Sequence, residues 1–233
     1  MLEEHQLIPY EPSDIPPGPW LVFAPHPDDE TFGMGGSIAL ASRQGVQVQV
    51  VVMTRGELAG DPEERLHECL DAGRVLGIDQ HHFWSIADQG LSKAEIAWSD
   101  LKAVIDPLQP NTVFLPGIQE FHPDHRAATR IVLNLLQNGS YQVSVWLYEI
   151  SRQNEANLLV DITPVLEVKT QAIQCYAGQL AQVDYQDMIL GINRSRSYTL
   201  GQNITHAEGF WASISALDLL KELEHRFRGY LPG

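Results

Sequence analysis

His26, Asp28, Asp29 and Glu30 fall within five residues, in the stretch Pro25-His26-Pro27-Asp28-Asp29-Glu30 that directly follows the apolar run Trp20–Ala24. A histidine and three acids packed so closely make a poor core, where unpaired charge is costly, and a good metal site. A second stretch of the same character, His122-Pro123-Asp124-His125, also follows an apolar run. His26 and Asp29 are three residues apart, as are His122 and His125, and that spacing turns both members of each pair to one side. Two imidazoles and a carboxylate suit zinc (Zn2+), with the fourth position open to water. The pKa of such a water falls toward about 7. Asp28 adjoins a ligand without being needed by the ion, so it is the natural base for the proton. Taken singly, Asp28 and Asp29 could cap a helix, and a lone histidine is more often structural. Two such segments, each at the end of an apolar run, point to a catalytic metal centre.

The two segments must be brought together by the fold. Trp20–Ala24 reads as a strand buried on both faces, followed by a helix over 37–44 that Gly45 ends and a valine-rich strand over 46–53. Asp61-Pro62-Glu63-Glu64 has the parts of a helix start, with Asp61 as cap, Pro62 in the first position and an acid three residues after the cap. That helix runs to Leu76 and closes at Gly77. A weaker strand is expected over 82–84, and Ser92 with Glu95 suggests a capping box for a helix ending before Pro107 or Pro110. A strand over 112–115, a helix over 125–137 and a strand over 143–148 follow. Beyond Thr163 the pattern turns helical, near 164–177, 179–190 and 213–227.

Alternating strands and helices predict a Rossmann-like α/β fold, a mostly parallel sheet flanked by helices. The expected organisation is a proline-rich arm over 1–19 and a single domain over 20–233 with an irregular helical C-terminal part. In a parallel sheet every strand's carboxyl end opens on one edge, where ligands bind. His26, the segment Thr54–Glu57, Asp88 and His122 each follow an expected strand, so they converge on that edge. Gly33-Met34-Gly35-Gly36 is not the dinucleotide fingerprint, and three adjacent acids would repel a phosphate; its glycines are expected to allow close helix packing.

Composition narrows the partners. The 233-residue chain has a formal net charge of -15 and a pI near 4.8, so a nucleic-acid partner is not expected. Two cysteines, Cys69 and Cys175, do not make a disulfide framework in a chain of this length. The acidic start Met1–Gln6 lacks the basic character of a signal peptide. No stretch approaches the roughly 20 apolar residues of a membrane span. The expected setting is the cytoplasm, and the sequence leaves a homo-oligomer open.

The paired motifs resemble those of the PIG-L/LmbE family of zinc-dependent N-deacetylases, which act on N-acetylglucosamine-containing compounds. The resemblance extends over most of the chain: Arg65 and Glu68 with Ala72 and Leu76-Gly77 are similar to a family helix, Asp88-Gln89-Gly90-Leu91 to a family turn, and Ala207-Glu208-Gly209-Phe210 to a late signature. It implies His26, Asp29 and His125 as zinc ligands and Asp28 as general base. It implies that His122 steadies the tetrahedral intermediate and protonates the leaving amine, while Arg65 and Asp88 hold the sugar. One departure stands out. Some members carry a tyrosine two residues before the first histidine of the second motif, and here that residue is Glu120. The expected activity is removal of the N-acetyl group from a small amino-sugar conjugate. Its rivals are a zinc amidase acting on another acyl or thiol conjugate, which a panel of acyl lengths would separate, and a non-catalytic sugar-binding module, against which the spare Asp28 argues.

Overall fold

The computed structural model describes residues 9–213 together with 215, 216, 218, 219 and 221. Its sheet is built on Trp20–Ala24 (β1), whose residues alternate between two cores. Trp20, Val22 and Ala24 face one apolar cluster, and Leu21 and Phe23 face the other. Asp29–Arg43 (α1), Val48–Thr54 (β2), Pro62–Leu76 (α2), Gln80–Ile86 (β3), Trp98–Leu108 (α3), Thr112–Pro116 (β4), Pro123–Asn138 (α4) and Ser144–Tyr148 (β5) continue the alternation. Leu158–Asp161 (β6), Leu166–Gln174 (α5), Ala177–Leu180 (α6), Tyr185–Arg196 (α7) and Ala207–Ser213 (β7) complete it. Ile38 of α1, Cys69 of α2 and Ile173 of α5 cover the first face, while Leu101 of α3 and Val132 of α4 cover the second.

The seven strands lie in the order β3-β2-β1-β4-β5-β7-β6. β3, β2, β1, β4 and β5 pair in parallel; β7 runs antiparallel to both β5 and β6. The chain leaves β1 outward through β2 and β3, then returns to β4 on the other side of β1. The carboxyl ends of β1 and β4 therefore flank a topological switch point, where open α/β sheets bind ligands. The expected α/β class holds. Among the described residues no helix is long and apolar enough to cross a membrane, and Cys69 and Cys175 are free.

Some elements differ from expectation. α1 begins at Asp29, eight residues before the expected 37, and runs through the glycines with a kink at Met34 (φ -142°, ψ 21°). The kink frees amides in mid-helix, and buried Glu208 on β7 accepts those of Gly36 and Ser37 at 2.8 and 2.7 Å. The glycines do serve packing: a Cβ on Gly33 would lie 2.4 Å from the Tyr148 ring, and one on Gly36 2.5 Å from Ile162. α3 begins at Trp98 and continues through Pro107, because Leu101, Val104, Ile105 and Leu108 make one buried face at helical spacing; Ser92 lies in a short 3-10 turn instead. The segment expected over 179–190 is interrupted, and α7 starts afresh where Asp184 accepts the Asp187 amide at 3.2 Å. β6 and β7 were not expected. Most of the helix expected over 213–227 lies outside the described residues.

Candidate active site

The loop after β1 is pinned in place by the end of β2: both the backbone N–H and the hydroxyl of Thr54 donate to the Pro25 carbonyl, at 2.9 and 2.8 Å. His26 is thereby fixed at the switch point, and α1 starts three residues later with Asp29 and Glu30 in its first turn, where the helix dipole favours acids. Across the cleft, His122 caps α4 by accepting the Asp124 amide on Nδ1 at 3.2 Å, with Pro123 in the first turn. One helical turn on, His125 faces the same cleft.

These restraints bring three ligand atoms into a triangle. His26 Nδ1 lies 3.1 Å from Asp29 Oδ2, His125 Nε2 lies 3.3 Å from the same oxygen, and the two nitrogens are 3.3 Å apart. A tetrahedral site with bonds of about 2.0–2.1 Å has ligand-to-ligand edges of about 3.3–3.4 Å, so the triangle has the dimensions of one face of a metal site. Its electrostatics agree. Burial alone would lower His125, but the charge and hydrogen bond of Asp29 outweigh it and push the imidazole up to about 9. His26 is raised well above its ordinary value against the same burial, by hydrogen bonds to Asp124, Asp29 and Asp88. Burial opposes the Asp29 charge too, yet the two rings hold its carboxyl far below the usual range. The pocket gathers cationic charge around Asp29, and a divalent ion in the triangle would replace those protons.

Carboxylates stand behind both rings. Asp88 Oδ1 lies 3.1 Å and Asp124 Oδ2 3.6 Å from His26 Nε2, so the ring presents Nδ1 to the triangle while its other nitrogen is held by acids. Glu120 Oε2 stands 3.7 Å from His125 Nδ1. Glu120 is also the anchor of the loop after β5, accepting from Ile150 N, Ser151 N, Ser151 Oγ and Asn154 Nδ2 at 2.5–3.1 Å. A nitrogen of His122 lies within 4.8 Å of those of His26 and His125.

Asp28 and Arg65 complete the floor. Arg65 Nη2 donates to Asp28 Oδ2 at 2.6 Å and Nη1 to the Gly56 carbonyl at 2.8 Å. Burial pushes the Asp28 carboxyl up to about 6, with the Arg65 charge pulling the other way. All of His26, Asp28, Asp29, Arg65, Asp88, His122 and His125 line one cavity of about 430 Å³, with Phe32, Phe121 and Tyr185 among its apolar walls. The expected residues thus converge. Arg65 and Asp88, expected to hold the sugar, line the cavity but spend polar atoms on Asp28 and His26. Glu120 and Asp124 were not assigned roles from sequence; the signal for Glu120 was the missing tyrosine itself, an acid within two residues of a histidine motif.

A doubly flanked α/β sheet with three candidate ligands and a further carboxylate at its switch point is an arrangement suited to metal-assisted hydrolysis. The chain belongs to the PIG-L family: residues 21–136 match the family model described as GlcNAc-PI de-N-acetylase. Among curated proteins, it is 27% identical over 182 residues to the probable N-acetyl-alpha-D-glucosaminyl L-malate deacetylase 2 of Bacillus subtilis, covering 68% of this chain and 82% of that one. It is also 27% identical over 224 residues to 4-oxalmesaconate hydratase of Pseudomonas putida, covering 81% and 86%. Among solved structures, a conserved protein from Thermus thermophilus superimposes with a TM-score of 0.75 at 27% identity, over 84% of this chain and 94% of that one.

Proposed function

We propose that this chain is a zinc-dependent N-deacetylase that hydrolyses the acetamide of a small N-acetylglucosamine-type conjugate. The observation that carries the reading is the triangle of His26, Asp29 and His125, with edges of 3.1–3.3 Å, beside a buried carboxylate that is not one of its corners. An ion held by those three residues supplies Lewis acidity to the amide carbonyl and acidifies water.

Asp28 takes the proton of the attacking water. Its pKa near 6 suits that task at neutral pH, and Arg65 holds it in one orientation. His122 accepts the Asp124 amide on Nδ1, which keeps the neutral ring's own proton on Nε2. That N–H can donate to the oxygen that gains charge in the transition state. Because a second proton on Nδ1 would break the cap, His122 acts as a donor of hydrogen bonds rather than as the acid. Burial lowers its pKa in the same sense. Asp28, protonated by the attack, then supplies the proton to the departing amine, and acetate and the free amine leave. Asp88, Asp124 and Glu120 orient the ligand imidazoles, and the aromatic walls offer stacking surface to a sugar ring. Two free thiols suit a reducing, cytoplasmic setting.

The test is incubation of purified protein with N-acetylglucosamine conjugates and matched longer-acyl analogues, followed by mass spectrometry and acetate assay. Equal amounts of acetate and free amine are expected. Since one relative is named a hydratase, a substrate that gains water without releasing acetate would overturn the deacetylase reading in favour of hydration. Metal-dependent binding with no turnover of any conjugate would favour the binding module.

A further inference from the structure

We propose that Glu30, Cys69 and His81 form a second metal site, suited to zinc rather than to magnesium or calcium, which ties the start of α1 to α2 and β3. Glu30 lies in the first turn of α1, Cys69 in the middle of α2, and His81 on β3, the edge strand of the sheet. One ligand atom from each lies within 4.8 Å of the others.

The cluster is buried and incompletely satisfied. Glu30 and Cys69 are fully buried, at 0% exposure. Glu30 Oε1 accepts from Thr31 Oγ1 at 2.9 Å, from Tyr176 OH at 3.1 Å and, weakly, from Cys69 Sγ at 3.9 Å. Its second oxygen, Oε2, and the buried Nε2 of His81 have no hydrogen-bond partner among the described residues. A folded protein seldom leaves a carboxylate oxygen and an imidazole nitrogen orphaned in one place. A single cation between them accounts for both. The backbone makes room for the His81 ring beside α2: a Cβ on Gly73, one turn beyond Cys69, would lie 2.3 Å from His81 Cε1, so the ring occupies space that only glycine leaves open.

The donor set chooses the ion. Sulfur, nitrogen and oxygen together suit zinc and its borderline-soft neighbours, while magnesium and calcium take oxygen ligands. Binding releases the thiol proton to solvent and takes Glu30 as carboxylate and His81 as neutral imidazole. The ion's double positive charge is then balanced by one thiolate and one carboxylate, leaving a buried centre with no net charge. His81, only partly buried, marks the side by which the ion enters. Glu30 follows Asp29 directly, so an ion here holds the turn that carries a corner of the catalytic triangle.

The full chain is equilibrated with excess zinc or cobalt, desalted and analysed for metal. The wild type should retain about two ions per chain, and Cys69→Ala, His81→Gln and His26→Ala about one each. In the cobalt form, a thiolate-to-cobalt charge-transfer band in the near ultraviolet should be present in wild type and His26→Ala, and absent in Cys69→Ala. Activity is not the readout, so failure of the deacetylase reading would leave the result intact. No charge-transfer band in the wild type, unchanged metal content in His81→Gln, or a single wild-type ion that His26→Ala removes would overturn the proposal. His81→Gln, altered on an edge strand, keeps the test available if Cys69→Ala does not fold.

Discussion

Glu208 and Lys169 form a fully buried ion pair, with Nζ–Oε1 at 2.7 Å and both side chains at 0% exposure. Glu208 also accepts from Gly36 N, Ser37 N and Ser37 Oγ at 2.6–2.8 Å, and thereby caps the second half of the kinked α1. Lys169 donates in addition to the Phe32 carbonyl and to Asn193 Oδ1, both at 2.9 Å. Burial pulls the Lys169 ammonium below its usual range even with Glu208 beside it. Glu208→Gln therefore leaves a buried cation without its anion, which costs about 3–5 kcal/mol. At about 2–4 °C per kcal/mol for a chain of this size, Tm should fall by about 6–20 °C. Lys169→Met in the Glu208→Gln background removes the stranded charge, and the carboxamide oxygen introduced by Glu208→Gln still accepts from one of the two helix amides, that of Ser37 when it takes the place of Oε2. The double variant should thus be more stable than Glu208→Gln alone, with a coupling energy above about 1 kcal/mol in urea unfolding. A Glu208→Gln cost below about 1 kcal/mol, or additivity within about 0.5 kcal/mol, would refute the view that this pair supports the helix carrying Asp29.

Other residues can be separated by which kinetic quantity moves. Arg65→Ala leaves Asp28 buried without its cation, so its carboxyl rises further above 6; kcat should fall about 10–100-fold with little change in KM, whereas a sugar-gripping Arg65 would raise KM instead. Asp88→Asn removes the acid at 3.1 Å from His26 Nε2, and metal affinity should fall about 10–100-fold in competition with a chelator; a rise in KM at unchanged affinity would return Asp88 to the substrate. Glu120→Gln leaves one acceptor oxygen for the loop after β5, where both carboxylate oxygens accept, and weakens support for His125, so metal affinity and Tm should both drop. Unchanged affinity there would confine Glu120 to the loop.

Much of the fold could be read in the chain because its signals are local. The continuous apolar run of β1 and the Asp61-Pro62 start and Gly77 stop of α2 each depend on a few neighbouring residues, and each appears where expected. What failed depends on distant partners. α1 runs through Gly33-Met34-Gly35-Gly36 because Glu208, 172 residues from Gly36, accepts the amides its kink frees. β7 was missed because Glu208 and Gly209 interrupt its apolar residues, and only the folded chain shows Glu208 buried against Lys169 rather than exposed. The site was legible as two motifs whose histidine and acid spacing suits a metal. The sharing of work was not: only the folded chain brings Arg65 to Asp28, Asp88 to His26 and Glu120 toward His125.

The division of labour between the two adjacent acids is the centre of the proposed mechanism. Asp29 Oδ2 is a corner of the ligand triangle, 3.1 and 3.3 Å from its nitrogens, while Asp28 is turned toward Arg65 at 2.6 Å. The decisive measurement is zinc content and acetate release, side by side, for Asp28→Asn and Asp29→Asn. Asp28→Asn should keep its zinc and its fold while deacetylation falls by about 10²–10⁴, the range for loss of a general base. Asp29→Asn should lose zinc and activity together. Full activity in Asp28→Asn, or loss of zinc from Asp28→Asn with retention in Asp29→Asn, would contradict the account.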